Sequence, residues 1–189
     1  MPQPVTSSLR GHLLLSAPHV RGDLFENTTI FLCSHDTEGA VGIIVNRPLE
    51  TITFLELLNQ FHIKTPLPME HQPVFFGGPV EINRGFILHP TSTMLESSIA
   101  VNTDIALTAN LNFFRENAAA SNPKEVLVAL GYAGWQSGQL ETELKNGHWL
   151  TIPATKELLF EKSPAEKWAI AYKTLGINPA FFSHKTGTA

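Results

Sequence analysis

The chain has 189 residues, 43% of them hydrophobic and only 16% charged, with a formal net charge of −4. That length supports one self-sufficient domain without a disulfide or metal staple, and the composition excludes a disordered, charge-rich chain. Residues 1–95 carry five basic and eight acidic groups, residues 96–189 carry eight and nine, and no Lys/Arg run occurs; direct nucleic-acid binding through a basic stripe is not expected, although a patch assembled by folding or by a homodimer stays open.

The N-terminal MPQPVTSSLRGHLLLSAP has no basic region followed by a long apolar stretch. Leu13-Leu14-Leu15 is too short for a signal peptide or a membrane span, so a cytoplasmic location without membrane association is expected. Residues 11–17 read as a strand ended by Pro18, followed by a loop through Gly22 and Asp23. Residues 28–35 (TTIFLCSH) are β-rich and apolar on both faces, which predicts a central strand. Asp36-Thr37-Glu38-Gly39 is a turn sequence, and residues 41–45 form the return strand of a hairpin that Asn46-Arg47-Pro48 ends.

Thr53 with Glu56 three residues on fits a capping box, and Phe54, Leu57, Leu58 and Phe61 give the following helix a one-sided apolar stripe. Residues 64–72, with Pro66 and Pro68, read as a loop. Val74-Phe75-Phe76 is a short strand that stops at Gly77-Gly78-Pro79, and residues 85–89 (GFILH) form another. Residues 98–101 and 105–108 predict a hairpin around Asn102-Thr103-Asp104, and Asn110 caps an expected helix through Leu111, Phe114 and Ala118. Residues 125–131 (EVLVALG) read as a buried strand, followed by a glycine-rich aromatic stretch over 131–138 (GYAGWQSG). A short helix over 139–145 ends at Gly147, a last strand covers 148–152, and Pro164 and Gly176 frame a final helix. Residues 1–8 and 177–189 read as loosely held ends of a single domain, although Phe181-Phe182 could dock. Strands and helices mix without regular alternation, which predicts an α+β fold.

The sequence lacks GxxxxGK[ST], GxGxxG after a strand, HExxH, GxSxG and CxxC. Cys33, the single cysteine, excludes an internal disulfide and a Cys-rich zinc site. It reads first as a buried hydrophobe; a thiol redox sensor, with His35 on the same strand face, is the alternative. His35 and His89 each end a predicted strand and are candidates to line a cleft, but no spacing supplies a third metal ligand. Arg47 and Arg84 suit a carboxylate or phosphate, and Gly77-Gly78 could form an anion-binding nest or simply a tight turn.

Three blocks carry a family resemblance: GHLLLSAPHVRGDLFENTTIFLCSHDTEGAVGIIVNRPL, PVFFGGPVEINRGFILH, and VLVALGYAGWQSGQLETELKNGHWLTIPA. In order and spacing they resemble the AlgH/YqgE family of bacteria over nearly the whole chain. The resemblance implies an α+β domain with a mixed, bifurcated sheet forming a partial barrel with flanking helices. It brings candidate transcriptional regulators of undefined biochemical activity, and no cofactor. Motif positions here include Pro18, His35, Gly39, Asn46, Arg47, Gly77, Gly78, Arg84, His89, Gly131, Trp135, Gln139, Glu141 and Trp149. The resulting expectation is a non-catalytic regulator that binds a protein or a small anion. His35, Asn46, Arg47, Gly77, Gly78, Arg84, His89, Trp135 and Gln139 are its candidate ligand-binding residues, converging on one cleft. The alternative is a hydrolase or transferase on a small anionic metabolite, using the same His and Arg side chains.

Overall fold

The structure, a computed structural model, describes residues 7–64, 72–117 and 122–178. Most of the loop expected over 64–72 and the expected docking of Phe181-Phe182 fall outside the described residues. Strands β1 (His12–Ser16), β2 (Thr29–Asp36) and β3 (Gly39–Ile44) pair antiparallel in succession. β2 is flanked on both edges and covered on both faces, which is why its run of apolar residues does not alternate.

The sheet continues through α1 (Phe54–Gln60), β4 (Val74–Phe76), β5 (Val80–Pro90), β6 (Ile99–Ala100), β7 (Ile105–Thr108), α2 (Phe113–Glu116) and β8 (Leu127–Gln136). The chain then adds α3 (Gln139–Lys145), β9 (Trp149–Pro153) and α4 (Pro164–Thr174). Its strand order is β6-β7-β5-β8-β3-β2-β1-β9, with β4 lying parallel on β8. β8 is the branch point. Its first half pairs with β5 and β4, and its second half with β3. The halves meet at Gly131, whose φ of 75° suits a residue without a side chain. The result is a mixed α+β fold with a curled half-barrel sheet and few helices, as the family resemblance implied.

The capping box at Thr53 and Glu56 is present, and Phe54, Leu57 and Leu58 of α1 are buried. Phe54 packs edge-on against Phe114 of α2 at 4.9 Å. α3 covers β3, β8 and β9. α4 lies on β1, where Trp168 Nε1 and Tyr172 Oη both donate to the Ser16 carbonyl at 3.0 and 2.8 Å.

The structure departs from the sequence expectations at four places. The strand expected over 125–131 runs on through the glycine-rich stretch to Gln136, with Gly131, Ala133 and Trp135 turned inward in alternation. The helix expected from Asn110 starts only at Phe113, because the Asn110 side chain accepts from the Asn112 N–H and forms a local turn ahead of it; Ala118, its expected far end, lies outside the described residues. Residues Glu157–Glu161 form a π-helical turn that the sequence reading did not contain. Of the N-terminal segment expected to be loose, Ser8 is tied down, its hydroxyl donating to the His35 carbonyl at 2.8 Å.

Candidate functional site

His35 closes the C-terminal end of β2. Its Nδ1 accepts the Leu9 N–H at 2.9 Å, which leaves Nε2 as the protonated nitrogen donating to Glu141 Oε1 at 2.8 Å. Both ring nitrogens are therefore engaged, and no lone pair is left for a general base. The backbone N–H of Glu141 itself, and then His35, hold the Glu141 carboxyl below the usual carboxylate range. Two residues on, Glu143 Oε2 accepts both the Trp135 indole N–H at 2.8 Å and the Trp149 indole N–H at 2.7 Å. Its Oε1 takes the Gln139 amide at 2.9 Å. Trp135, Gln139, His35 and Glu141 thus fasten α3 onto the sheet.

Asn46 and Arg47 form a second, separate brace. The Asn46 amide accepts the Thr29 N–H and donates to the Asn27 carbonyl, and Arg47 Nη2 donates to the Glu26 carbonyl at 2.7 Å. The 18–28 loop is thereby stitched to the exit of β3. Next to it, Gly77 and Gly78 run against the backbone of β8. A Cβ on Gly77 would lie 2.2 Å from the Gly131 carbonyl oxygen, and one on Gly78 would lie 2.1 Å from the Tyr132 carbonyl carbon. The pair permits backbone-to-backbone packing at the branch of the sheet, and the Gly77 N–H that an anion nest would use donates to the Leu130 carbonyl at 2.7 Å.

His89 is fully buried on β5. Nε2 meets Thr108 Oγ1 at 2.8 Å, Nδ1 meets the Pro90 carbonyl at 3.0 Å, and the ring packs 4.4 Å from Phe113. Burial lowers its pKa from 6.5, so the ring stays neutral. Below about 6.5 the unfolded histidine takes up a proton that the folded one refuses, so stability falls as pH drops through that range. Urea midpoints measured from pH ~7 to ~5 are expected to fall less steeply for His89→Gln than for wild type; equal slopes would contradict a buried neutral ring. Cys33 is also a core residue. Burial pushes its thiol up to about 12, which argues against a reactive thiolate.

The expected single cleft is not formed. His35 pairs with Ala40, which pairs with Trp135 at the end of β8, whereas His89 lies one residue beyond the Leu88–Leu127 pair at its start. The two histidines are separated by roughly 30 Å along that strand. Arg84 is apart from both. It pairs with Glu81 at 2.9 Å on the surface and lies over the Phe86 ring.

Arg84 does border an open groove of about 640 Å³ between β5 and the 109–112 segment, with Phe61, Ile82 and Asn110 on its walls. Ile82 is 55% and Phe61 48% exposed. Between Val80 and Gly85 the β5–β8 register shifts and Glu81 takes a φ of 48°, so residues 81–84 form an exposed bulge whose Ile82 backbone lies beside Gly131. A second cavity, of about 540 Å³, lies beside the π-helical turn and reaches Lys167, a buried residue of α4.

The profile of the AlgH-like family (DUF179) matches residues 13–180. The chain belongs to the AlgH-like family. A UPF0301 protein of Rhodospirillum rubrum is 43% identical over 181 residues, spanning 96% of this chain and 94% of that one. One from Vibrio cholerae is 40% identical over 187 residues, spanning 96% of this chain and all of the relative. The solution structure of the AlgH protein from Pseudomonas aeruginosa is similar over the full length of both chains, with 34% identity and a TM-score of 0.76. A crystal structure from Corynebacterium diphtheriae, protein DIP2367, shares the fold at 16% identity, with a TM-score of 0.77 over 97% of this chain and 94% of that one. None of these names states an activity. Among the described residues of this AlgH-like chain, no helix is long and apolar enough to cross a membrane.

Two residues of this AlgH-like chain escaped the sequence reading. Glu143 carries three side-chain donors, and its signal was the i,i+4 spacing from Gln139 between two tryptophans. Lys167 shares a buried stripe with Ala171, four residues on. A lone lysine on an apolar stripe was the available clue.

Proposed function

We propose that this AlgH-like protein is a non-catalytic regulatory protein that binds an extended segment of a protein partner in the groove beside Arg84. The observation that carries this reading is the open groove of about 640 Å³ on whose walls two large apolar side chains, Ile82 of the 81–84 bulge and Phe61, stand exposed. Apolar walls take the side chains of an extended segment, and a bulge turns its own side chains toward such a ligand. Asn83, Asn110 and Asn112 line the same groove with amides that can both donate and accept. The one ion pair of Arg84 among the described residues is an exposed pair with Glu81, so an acidic residue of the partner can replace Glu81 while the guanidinium stays over the Phe86 ring. The partner segment is therefore apolar with a nearby Asp or Glu. The separation of His35, His89 and the arginines disfavours the hydrolase or transferase alternative, which required them around one reacting atom.

The test is a photo-crosslinking amino acid at position 82, in cells of the species that makes the protein, with Lys173 on α4 as the control position. A discrete protein adduct from position 82 is expected, its yield reduced about fivefold by Arg84→Glu, as for loss of a steering rim charge. Identical adduct patterns from positions 82 and 173 would overturn the reading.

A further inference from the structure

We propose that the cavity beside α4 is a binding site for a small amphipathic carboxylate, with the carboxylate on Lys167 and the apolar body against Phe75, Leu159 and Phe160. The volume, about 540 Å³, falls in the range of sites for small organic ligands. Lys167 is only 3% exposed, and its Nζ donates to the Val45 carbonyl at 2.9 Å and the Leu159 carbonyl at 2.6 Å. These two bonds use two of the three ammonium protons. No carboxylate among the described residues forms an ion pair with it. A buried cation met by two carbonyl dipoles and the face of the Phe75 ring has no counter-charge, and an anion entering from the cavity supplies one.

The surroundings favour an apolar tail. Phe75 lies 5.3 Å from the ammonium, and Leu159 is presented by the π-helical turn, a distortion found often at functional sites. The other charged groups on the cavity wall are Lys124, Lys162, Glu125 and Glu161. Lys162 is paired with Glu157, and the Asn122 amide donates to Glu125. Burial alone lowers the Lys167 amine from 10.5 to about 8, so it is mainly a cation near neutral pH and loses that charge in mild alkali. Anion binding must weaken over the same range.

Octanoate is the probe, with octan-1-ol and octylamine of the same chain length as controls, measured by calorimetry on the full chain. Octanoate is expected to bind near pH 7 and to bind on the order of tenfold more weakly at about pH 9.5. The alcohol and the amine are expected to bind at least about tenfold more weakly than octanoate. Lys167→Met, which keeps the stem and removes the charge, is expected to abolish the preference, and Lys162→Met on the rim to leave it. Should Lys167→Met fail to fold, the head-group preference and the pH dependence in the wild-type protein decide the matter. Equal binding of octanoate and octanol, octanoate binding that does not weaken in alkali, no binding of octanoate, or an unchanged preference in Lys167→Met would each overturn the proposal.

Discussion

Gly78→Ala is expected to destabilise the fold by about 4 kcal/mol or more, through overpacking and backbone strain acting together. The added methyl would lie 2.1 Å from the Tyr132 carbonyl carbon and 2.3 Å from the Ala133 nitrogen, at a φ of 151°. These neighbours are backbone atoms in the middle of β8, so no rotamer change relieves the clash. Either the 77–79 segment lifts off β8 or β8 bends, and both open the junction where the sheet forks. Gly138→Ala is the internal comparison. It also has a positive φ, 73°, but a Cβ there meets no atom within 4 Å. Its cost is expected to be only the left-handed strain, about 1 kcal/mol. Urea denaturation of both variants checks the contrast. Similar midpoints would show that close approach to β8 is not what the glycine provides.

Glu143→Ala is expected to cost about 3 kcal/mol, because it leaves two buried indole N–H groups without their acceptor. Trp135 and Trp149 are 7% and 5% exposed, so water does not readily replace the carboxylate. The rings pack edge to face at 6.0 Å, and α3 is fastened to β8 and β9 through this one side chain. Glu143→Gln keeps an oxygen for the indoles and disturbs mainly the Gln139 contact, so its cost is expected to stay below about 1.5 kcal/mol. Urea midpoints and tryptophan emission report the difference, since two of the three tryptophans share this acceptor. A Glu143→Ala protein as stable as Glu143→Gln would place the fastening of α3 elsewhere.

The strands and the capping box were legible because each rests on local rules. TTIFLCSH reads as a doubly covered strand, and Thr53 with Glu56 reads as a helix start. The second half of β8 was not read as a strand because glycines at 131 and 134 masked an alternation that Ala133 and Trp135 carry. Gly131 answers to the 78–82 segment, whose backbone a Cβ there would meet. The single cleft failed for a related reason. A strand end is a local property, but which end of the sheet it reaches depends on pairing order, and β8 separates β5 from β3. His35 and His89 therefore finish at opposite ends of the same strand. The groove beside Arg84 depends on where β7 stops pairing with β5, at Ile87, and no local pattern marks that point.

The central claim is that the motif side chains at His35, Asn46 and Arg47 brace the fold, while recognition belongs to the groove beside Arg84. The most direct test compares photo-adduct yield from position 82 in Arg47→Ala and Arg84→Glu proteins, each held well below its own unfolding temperature. The account predicts a less stable Arg47→Ala protein that keeps the adduct and a stable Arg84→Glu protein whose adduct falls about fivefold. Loss of the adduct in folded Arg47→Ala, with full yield in Arg84→Glu, would contradict it.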